Sequence, residues 1–385
     1  MDLSVFFDPI STLTQSLQLG MDEGSMGRHL HSFEEQFPDW READIILLGS
    51  RYQEEDEPYS AEKIRQAFHQ YSYQDSKLVI ADLGNLKAKA AYGDYLDTLS
   101  YVLKTLIAED KLVLIMGGGQ RQSLGQFQAY EEAPSPIAYV HIDRKFDIDA
   151  GLDIPHATSY NRLIIEEEGH HLASFTNLAY QRFAVTDPQK EFLQDRYYHS
   201  TRLGMLNQSI REAEPELRLA HMVSLDMSAI RFADSPGSTA PSPAGLTAIQ
   251  ACTLARYAGM GYRLSTFSIN EFRPDKDIHG QSAQMAAMLM WYVLDGYQNK
   301  WEDHPLEDRS NMRKYAVQLH ASVQEIPFYK HPLSSRWWME VPYPDSLGKE
   351  FPRSRLVPCS EADYDFARTD NIPERWWLAY NRLMT

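Results

Sequence analysis

The segment HIDRKFDID, residues 141–149, sets Asp143, Lys145, Asp147 and Asp149 on alternate positions. Side chains of an extended strand alternate with period two, so in a strand all four would share one face. Carboxylates crowded at a strand end usually mean a metal, because hard cations take oxygen ligands. Lys145 stands among them, and a protonated ammonium donates hydrogen bonds but cannot coordinate a cation. The spacing predicts a site built like a metal centre, with a built-in positive charge where one ligand is expected.

Such residues need strand ends to hold them. Short continuous apolar runs, the mark of parallel strands buried on both faces, occur at 43–49, 77–84, 111–119, 136–143, 176–185, 220–227 and 262–272. Helical patterns lie between or after them at 60–72, 93–109, 211–219, 245–260 and 281–299. Alternation of the two predicts an α/β fold, a three-layer α/β/α arrangement around a mostly parallel sheet. Ligands in such sheets sit beyond the carboxyl ends of the strands. That rule selects Gly117 to Gln120, Asp143 to Asp149, Asp226 to Ser228, and Asn270 with Glu271.

Composition narrows the function classes. A chain of 385 residues with 43% hydrophobic content can bury a full core. Its net charge of −17 argues against a nucleic-acid surface, which needs clustered Lys and Arg. Two cysteines, Cys252 and Cys359, leave no disulfide framework and no Cys-rich zinc motif. The opening MDLSVFFDPI lacks the basic region of a signal peptide, and LVLIM at 112–116 is strand-sized. A cytoplasmic protein without a membrane anchor is expected. From about residue 300 the texture turns rich in Pro, Arg and paired Trp: Trp337 with Trp338, and Trp376 with Trp377. Disordered segments are poor in aromatics, so 301–385 reads as an ordered extension, packed on the 1–300 domain or on a protein partner.

Taken in order, four segments resemble the ureohydrolase family of arginase, agmatinase and, most nearly in length and texture, formimidoylglutamase. IMGGGQRQSLG stands where that family has Gly-Gly-Asp-His-Ser, and DRKFD stands for Asp-Ala-His-x-Asp. SLDMSAIRFADSPGSTAPSPAGLT stands for Ser-Phe-Asp-x-Asp and its Pro-Gly stretch, and NEFRPDKD for Glu-x-x-Pro-x-x-Asp. The resemblance spans roughly 40–300 and implies an arginase-like fold. In the family these segments bind two manganese ions bridged by a hydroxide that attacks a guanidinium or formimino carbon. Carried over by position, the six ligand places are Gln120, Asp143, Lys145, Asp147, Asp226 and Ser228, of which Asp143, Asp147 and Asp226 keep a family ligand.

The resemblance divides these places into two sets. Gln120, Asp143, Asp147 and Asp226 would still suit one hard cation such as Mn²⁺, Mg²⁺ or Ca²⁺. The second set, Asp143, Lys145, Asp226 and Ser228, has Lys for His and Ser for Asp. There Lys145 is expected to supply the charge of the missing ion by pairing with Asp143 and Asp226. Activation of a bridging water needs both ions, so a degenerate, non-catalytic centre without a cofactor, or with one divalent cation at most, is the first expectation. A hydrolase of amidino or formimino C–N bonds using one residual cation is the alternative. In that case His156, in IPHATS, matches the family's proton shuttle, and Glu271 matches the acid that meets the guanidinium.

Gln120, Asp149 and Glu271 are expected to line a cleft for a small carboxylate or guanidino ligand. Gly117 to Gly119 lack both phosphate-loop spacings and read as a tight turn needing positive φ. Arg121, Arg144 and Arg231 would either draw carboxylates to the cleft or offset local acids. A homo-oligomer is expected, as is usual for the resembled family.

Overall fold

The computed structural model describes residues 2–50, 60–73, 77–87, 92–150, 158–166, 171–301, 303, 310–319, 325–343 and 354–384. Ten strands form the main sheet: β1 (Phe7–Asp8), β2 (His31–Ser32), β3 (Ile45–Gly49), β4 (Ile80–Leu86), β5 (Leu112–Met116), β6 (Ile137–Ile142), β7 (Leu172–Tyr180), β8 (His199–Arg202), β9 (Met222–Asp226) and β10 (Thr266–Asn270). Their order is β1-β4-β3-β5-β10-β9-β6-β7-β8, with β2 beside β4. Every pairing is parallel except that of β1 with β4.

Alternation along the central strands makes the layers. Ile45, Leu47, Leu112, Leu114, Val223 and Phe267 pack on one face with the helices Ser60–His69, Ala248–Gly259 and Gln281–Gln298. Ile46, Leu48, Val113, Ile115 and Met222 pack on the other with Tyr92–Ile107 and Ser123–Gln128. With both faces covered, these strands must be apolar throughout, and β3 and β5 are buried at every position. The three-layer α/β/α expectation is thus the observed fold. Among the described residues no helix is long and apolar enough to cross a membrane.

The run 176–185 belongs to a strand that starts earlier, at Leu172, and ends at Tyr180, and β8 has no matching apolar run. HSTR in β8 is polar and partly exposed at the sheet edge, so it lacks the apolar signature of its neighbours.

Past residue 300 the chain builds a second, antiparallel sheet from β11 (Arg313–Gln318), β12 (Glu325–Lys330), β13 (Trp337–Pro342) and β14 (Ser354–Cys359), in that order. The helices Glu361–Arg368 and Glu374–Met384 follow. Trp337, Met339, Ile326, Phe328 and Trp376 form a core of their own. Trp338 lies under the Arg218 guanidinium, 4.7 Å from the ring centre, and Arg218 Nη1 donates to the Trp337 carbonyl at 2.7 Å. Arg375 binds back to the first domain through Glu216 at 2.8 Å and Glu212 at 3.3 Å. Of the four paired tryptophans only Trp377 keeps substantial exposure, 46%.

Candidate functional site at the strand ends

Parallel register brings the chemistry together. Asn270 pairs with Asp226, Ile269 with Met116, and Ile142 with Leu225, so β5, β10, β9 and β6 end side by side. These ends and the loops that leave them carry Gln120, Asp143, Asp147, Asp226, Ser228 and Glu271. β6 stops at Ile142, so residues 143–149 form a loop and not the extended strand expected. Asp147 has φ 52° and Glu271 φ 63°, the left-handed region that non-glycine residues rarely occupy. Strain of this kind persists where surrounding structure over-determines it, commonly at functional sites. Gly117 and Gly118, at φ 75° and 85°, satisfy the expected positive-φ turn, while Gly119 is extended.

Asp143, Asp147 and Asp226 are all buried. Burial pushes the Asp143 carboxyl well above its ordinary range, with the Asp147 charge adding to the shift. Asp147 is raised to about 7, first by burial and then by the charge of Asp226. Asp226 is raised well above its usual value by burial and by the charges of Asp143 and Glu271. Three like charges removed from water thus oppose one another, and a cation is the natural remedy.

Gln120 completes a donor set. Its Nε2 donates to Ser224 Oγ at 2.5 Å, its backbone N–H donates to Glu271 Oε1 at 2.6 Å, and its Oε1 is buried without a partner among the described residues. A buried acceptor left unsatisfied costs ~1–3 kcal/mol, which a bound cation or donor would recover. Three carboxylates and one orphaned amide oxygen fit a hard divalent ion. That donor set runs against the expectation that no cofactor is held and agrees with the single-cation allowance.

His141 also lies in this cluster: one ligand atom each from His141, Asp143 and Asp147 falls within 4.8 Å of the others. It was overlooked in sequence, although the period-two rule applied to 141 and 143 would have found it. Its Nδ1 accepts from the amide groups of Asn177 at 3.1 Å and Asn161 at 3.2 Å. Nε2 therefore carries the proton and donates to Tyr160 Oη at 2.8 Å, and Tyr160 donates to Asp147 Oδ2 at 3.1 Å. Burial holds the imidazole neutral, its pKa near 3. In this arrangement His141 orients Tyr160, which in turn orients Asp147.

A polar layer beneath the loops was also missed. Gln122 Nε2 donates to Asn270 Oδ1 at 2.5 Å and to the Gly117 carbonyl at 2.8 Å, while its Oε1 accepts from Ser50 Oγ at 2.6 Å. Asn270 Nδ2 donates to Ser224 Oγ at 3.0 Å, which closes the path to Gln120. The sequence signal is a polar residue inside an otherwise apolar strand, as in Ser224 and Asn270.

The remaining candidates divide. Ser228 Oγ donates to Asp143 Oδ1 at 3.4 Å and its N–H to Asp226 Oδ1 at 2.6 Å, so it belongs to the site. Lys145 is half-buried, and among the described residues its ammonium forms no ion pair with Asp143 or Asp226; its charge acts instead on Asp147. The turn after Ile142 breaks the period-two geometry on which the expected pairing rested. Asp149 leaves the cluster to accept from Gln189 Nε2 at 2.6 Å. Arg231 pairs with Asp234 at 2.7 Å, which offsets a local acid. His156 lies outside the described residues.

The crowding has a direct consequence. Asp226→Asn should raise the stability of cation-free protein by about 1 kcal/mol, because it removes one of three buried like charges. The denaturant midpoint checks this, and a lower midpoint for the variant would show that the carboxylates are not in conflict.

The model of the arginase family matches residues 53–295. The chain belongs to the arginase family. Formimidoylglutamase from Staphylococcus aureus is 24% identical over 231 residues, 56% of this chain and 74% of that protein. For formimidoylglutamases of further S. aureus strains the match covers 62% of their length, less than two thirds. Among solved structures, Trypanosoma cruzi formiminoglutamase with Mn²⁺ superposes with a TM-score of 0.60 at 19% identity, over 67% of this chain and 95% of that one. Bacillus subtilis formimidoylglutamase gives a TM-score of 0.62 at 18% identity, over 70% and 91%. At these identities the likeness shows the fold. The family match ends before β11, so the antiparallel sheet lies outside it.

Proposed function

We propose that this chain binds one hard divalent cation through Asp143, Asp147, Asp226 and Gln120 Oε1, and that its rim takes a small carboxylate or guanidino ligand without two-metal hydrolysis. The observation that carries this reading is the orphaned, buried Gln120 oxygen beside three mutually repelling carboxylates. A bound ion would supply the missing positive charge and a Lewis-acid contact for the ligand. Lys145 and Ser228 offer no second carboxylate or imidazole set, which is why one ion is proposed. Glu271, fixed by the Gln120 N–H, keeps Oε2 without a partner among the described residues and can accept from a guanidinium. A cytoplasmic location, in keeping with two unpaired buried cysteines, and a homo-oligomer belong to the same proposal, as does a partner on the C-terminal sheet.

Hydrolysis of amidino or formimino C–N bonds with a single cation is the second reading, favoured by Glu271 on the rim and by the formimidoylglutamases among the relatives. Calorimetric titration with Mn²⁺ is expected to give one ion per chain. Formiminoglutamate, agmatine and arginine are then expected to release formamide or urea no faster than background. Two ions per chain would sink the proposal. Turnover lost in Asp226→Ala would install the second reading instead. Reverting the site to the family's full ligand set should require at least Lys145→His, Ser228→Asp and Gln120→His together, since the replacements fall in both coordination spheres.

A further inference from the structure

At the opposite end of the parallel sheet, where β6, β7 and β9 begin, a cleft of about 960 Å³ lies between the main sheet and the C-terminal unit. Its walls include Arg196, Arg263 and His221 from the first domain and Arg355 and Arg382 from the second. Asp195 is the one carboxylate among the described lining residues, and it is exposed. In a chain of net charge −17, four guanidinium groups around one cavity need an explanation.

For Arg263 and Arg355 local pairing does not provide it. Arg196 is held by Glu166 at 3.7 Å and by the Phe192 carbonyl at 3.1 Å. Arg355 and Arg263 have no ion-pair partner among the described residues. Their charges oppose each other: burial lowers Arg355, and Arg263 lowers it further against an opposing contribution from Tyr343. Burial likewise lowers Arg382, with Arg355 adding to the effect and Tyr198 and Glu216 only partly opposing it. His221 is kept neutral, near pH 4, by burial and by Arg263, and its Nδ1 already accepts from the Ala138 N–H at 3.0 Å. Glu216, on the adjoining wall, is engaged by Arg375 at 2.8 Å and His199 at 3.0 Å. Repulsion among guanidiniums, of which Arg355 and Arg382 are half-buried, is tolerated when an anion completes the set, and the planar fork of Arg matches phosphate and carboxylate oxygens.

We propose that this cleft is a binding site for a small polyanion, a molecule bearing at least two phosphate or carboxylate groups. Tyr198 beside Arg382, 5.9 Å from guanidinium to ring centre, adds a flat wall for the body of such a ligand. The volume is within the range of small-molecule sites, roughly 300–1,000 Å³. Because both units contribute arginines, the ligand would tie the C-terminal unit to the first domain. The site is separated from the carboxylate cluster by the length of the strands, about 20 Å for a six-residue strand.

Calorimetric titration of the full chain with pyrophosphate, and separately with citrate, tests this. At least one probe is expected to bind, and the stronger arm tells phosphate from carboxylate recognition. Arg355→Gln and Arg263→Gln should each weaken that binding ~10–100-fold, the value of a charge-assisted hydrogen bond. Arg263 is exposed, so its variant tests the site even if Arg355→Gln fails to fold. Asp226→Asn should leave the affinity unchanged. Failure of both probes to bind overturns the proposal. Affinity retained in Arg263→Gln, or lost in Asp226→Asn, overturns it as well, the latter by placing the anion at the cation loops.

Discussion

Replacing Arg65 by methionine is expected to cost about 3–5 kcal/mol, a large part of the ~5–15 kcal/mol that holds a typical domain folded. The guanidinium is fully buried and donates to Asp82 at 2.6 and 3.1 Å, to Glu62 at 2.6 Å, to Asn85 at 3.1 Å and to the Gly84 carbonyl at 3.1 Å. Methionine fills similar volume but leaves two buried carboxylates without a cation, and that uncompensated charge is the source of the cost. A denaturant midpoint unchanged from the parent would show that water or rearrangement replaces the guanidinium. The same network predicts a pH dependence. Burial alone would raise Glu62, but the Arg65 charge and bonds from Asn85, Thr14 and Ser11 outweigh it and hold the carboxyl down at about 2, against an ordinary 4.5. A depressed folded-state value means that the stabilisation is complete above about pH 4.5 and is lost as pH falls toward 2. In Arg65→Met that acid-sensitive component should be absent. The effect should also reach the cation loops, because Ser60, in the same helix, accepts from the Gly118 N–H at 3.4 Å. Mn²⁺ affinity should therefore fall along with stability.

Continuous apolar runs made β3, β5, β9 and β10 readable because strands buried on both faces can hold little else. The same rule placed the four rim segments, since parallel strands present their carboxyl ends to one side. It failed where local backbone broke the period. Asp147 adopts a left-handed conformation that turns the loop, which keeps Asp147 with Asp143 and sends Asp149 to Gln189. No spacing rule contains that turn. Lys145 was misplaced for the same reason. His141 and Ser224 were missed because a polar residue within an apolar run was read as part of the run. The antiparallel sheet escaped because its strands carry Pro327, Pro342 and Pro358, residues that argue against a central strand. Only the tryptophans signalled the packed core that its described residues build.

Deletion of residues 301–385 is expected to leave a protein that aggregates or melts far below the full chain. The extension covers the first domain with more than apolar surface. Without it Arg218, 1% exposed, loses the Trp337 carbonyl and the face of Trp338, while Glu212 and Glu216 lose Arg375. Newly bared apolar area adds about 25 cal/mol per Å² to the penalty. Binding of a hydrophobic dye together with a lowered melting temperature would register the loss, and an unchanged melting temperature and subunit state would show the extension to be dispensable. Arg375→Ala provides a milder version that keeps both cores. It leaves the partly buried Glu216 with the His199 ring at 3.0 Å and the Thr176 hydroxyl at 3.1 Å but no guanidinium, so a loss of about 3 kcal/mol is expected from breaking a buried pair. Glu216 lies in the short helix Glu214–Arg218 that leads into β9, at the end of the strand away from Asp226. A variant that melts early yet still binds one Mn²⁺ per chain would therefore locate the contribution of the extension in bracing the sheet from behind. Loss of Mn²⁺ binding in a variant with an intact melting temperature would instead mean that strain at the starting ends of the strands reaches the carboxylates at the other.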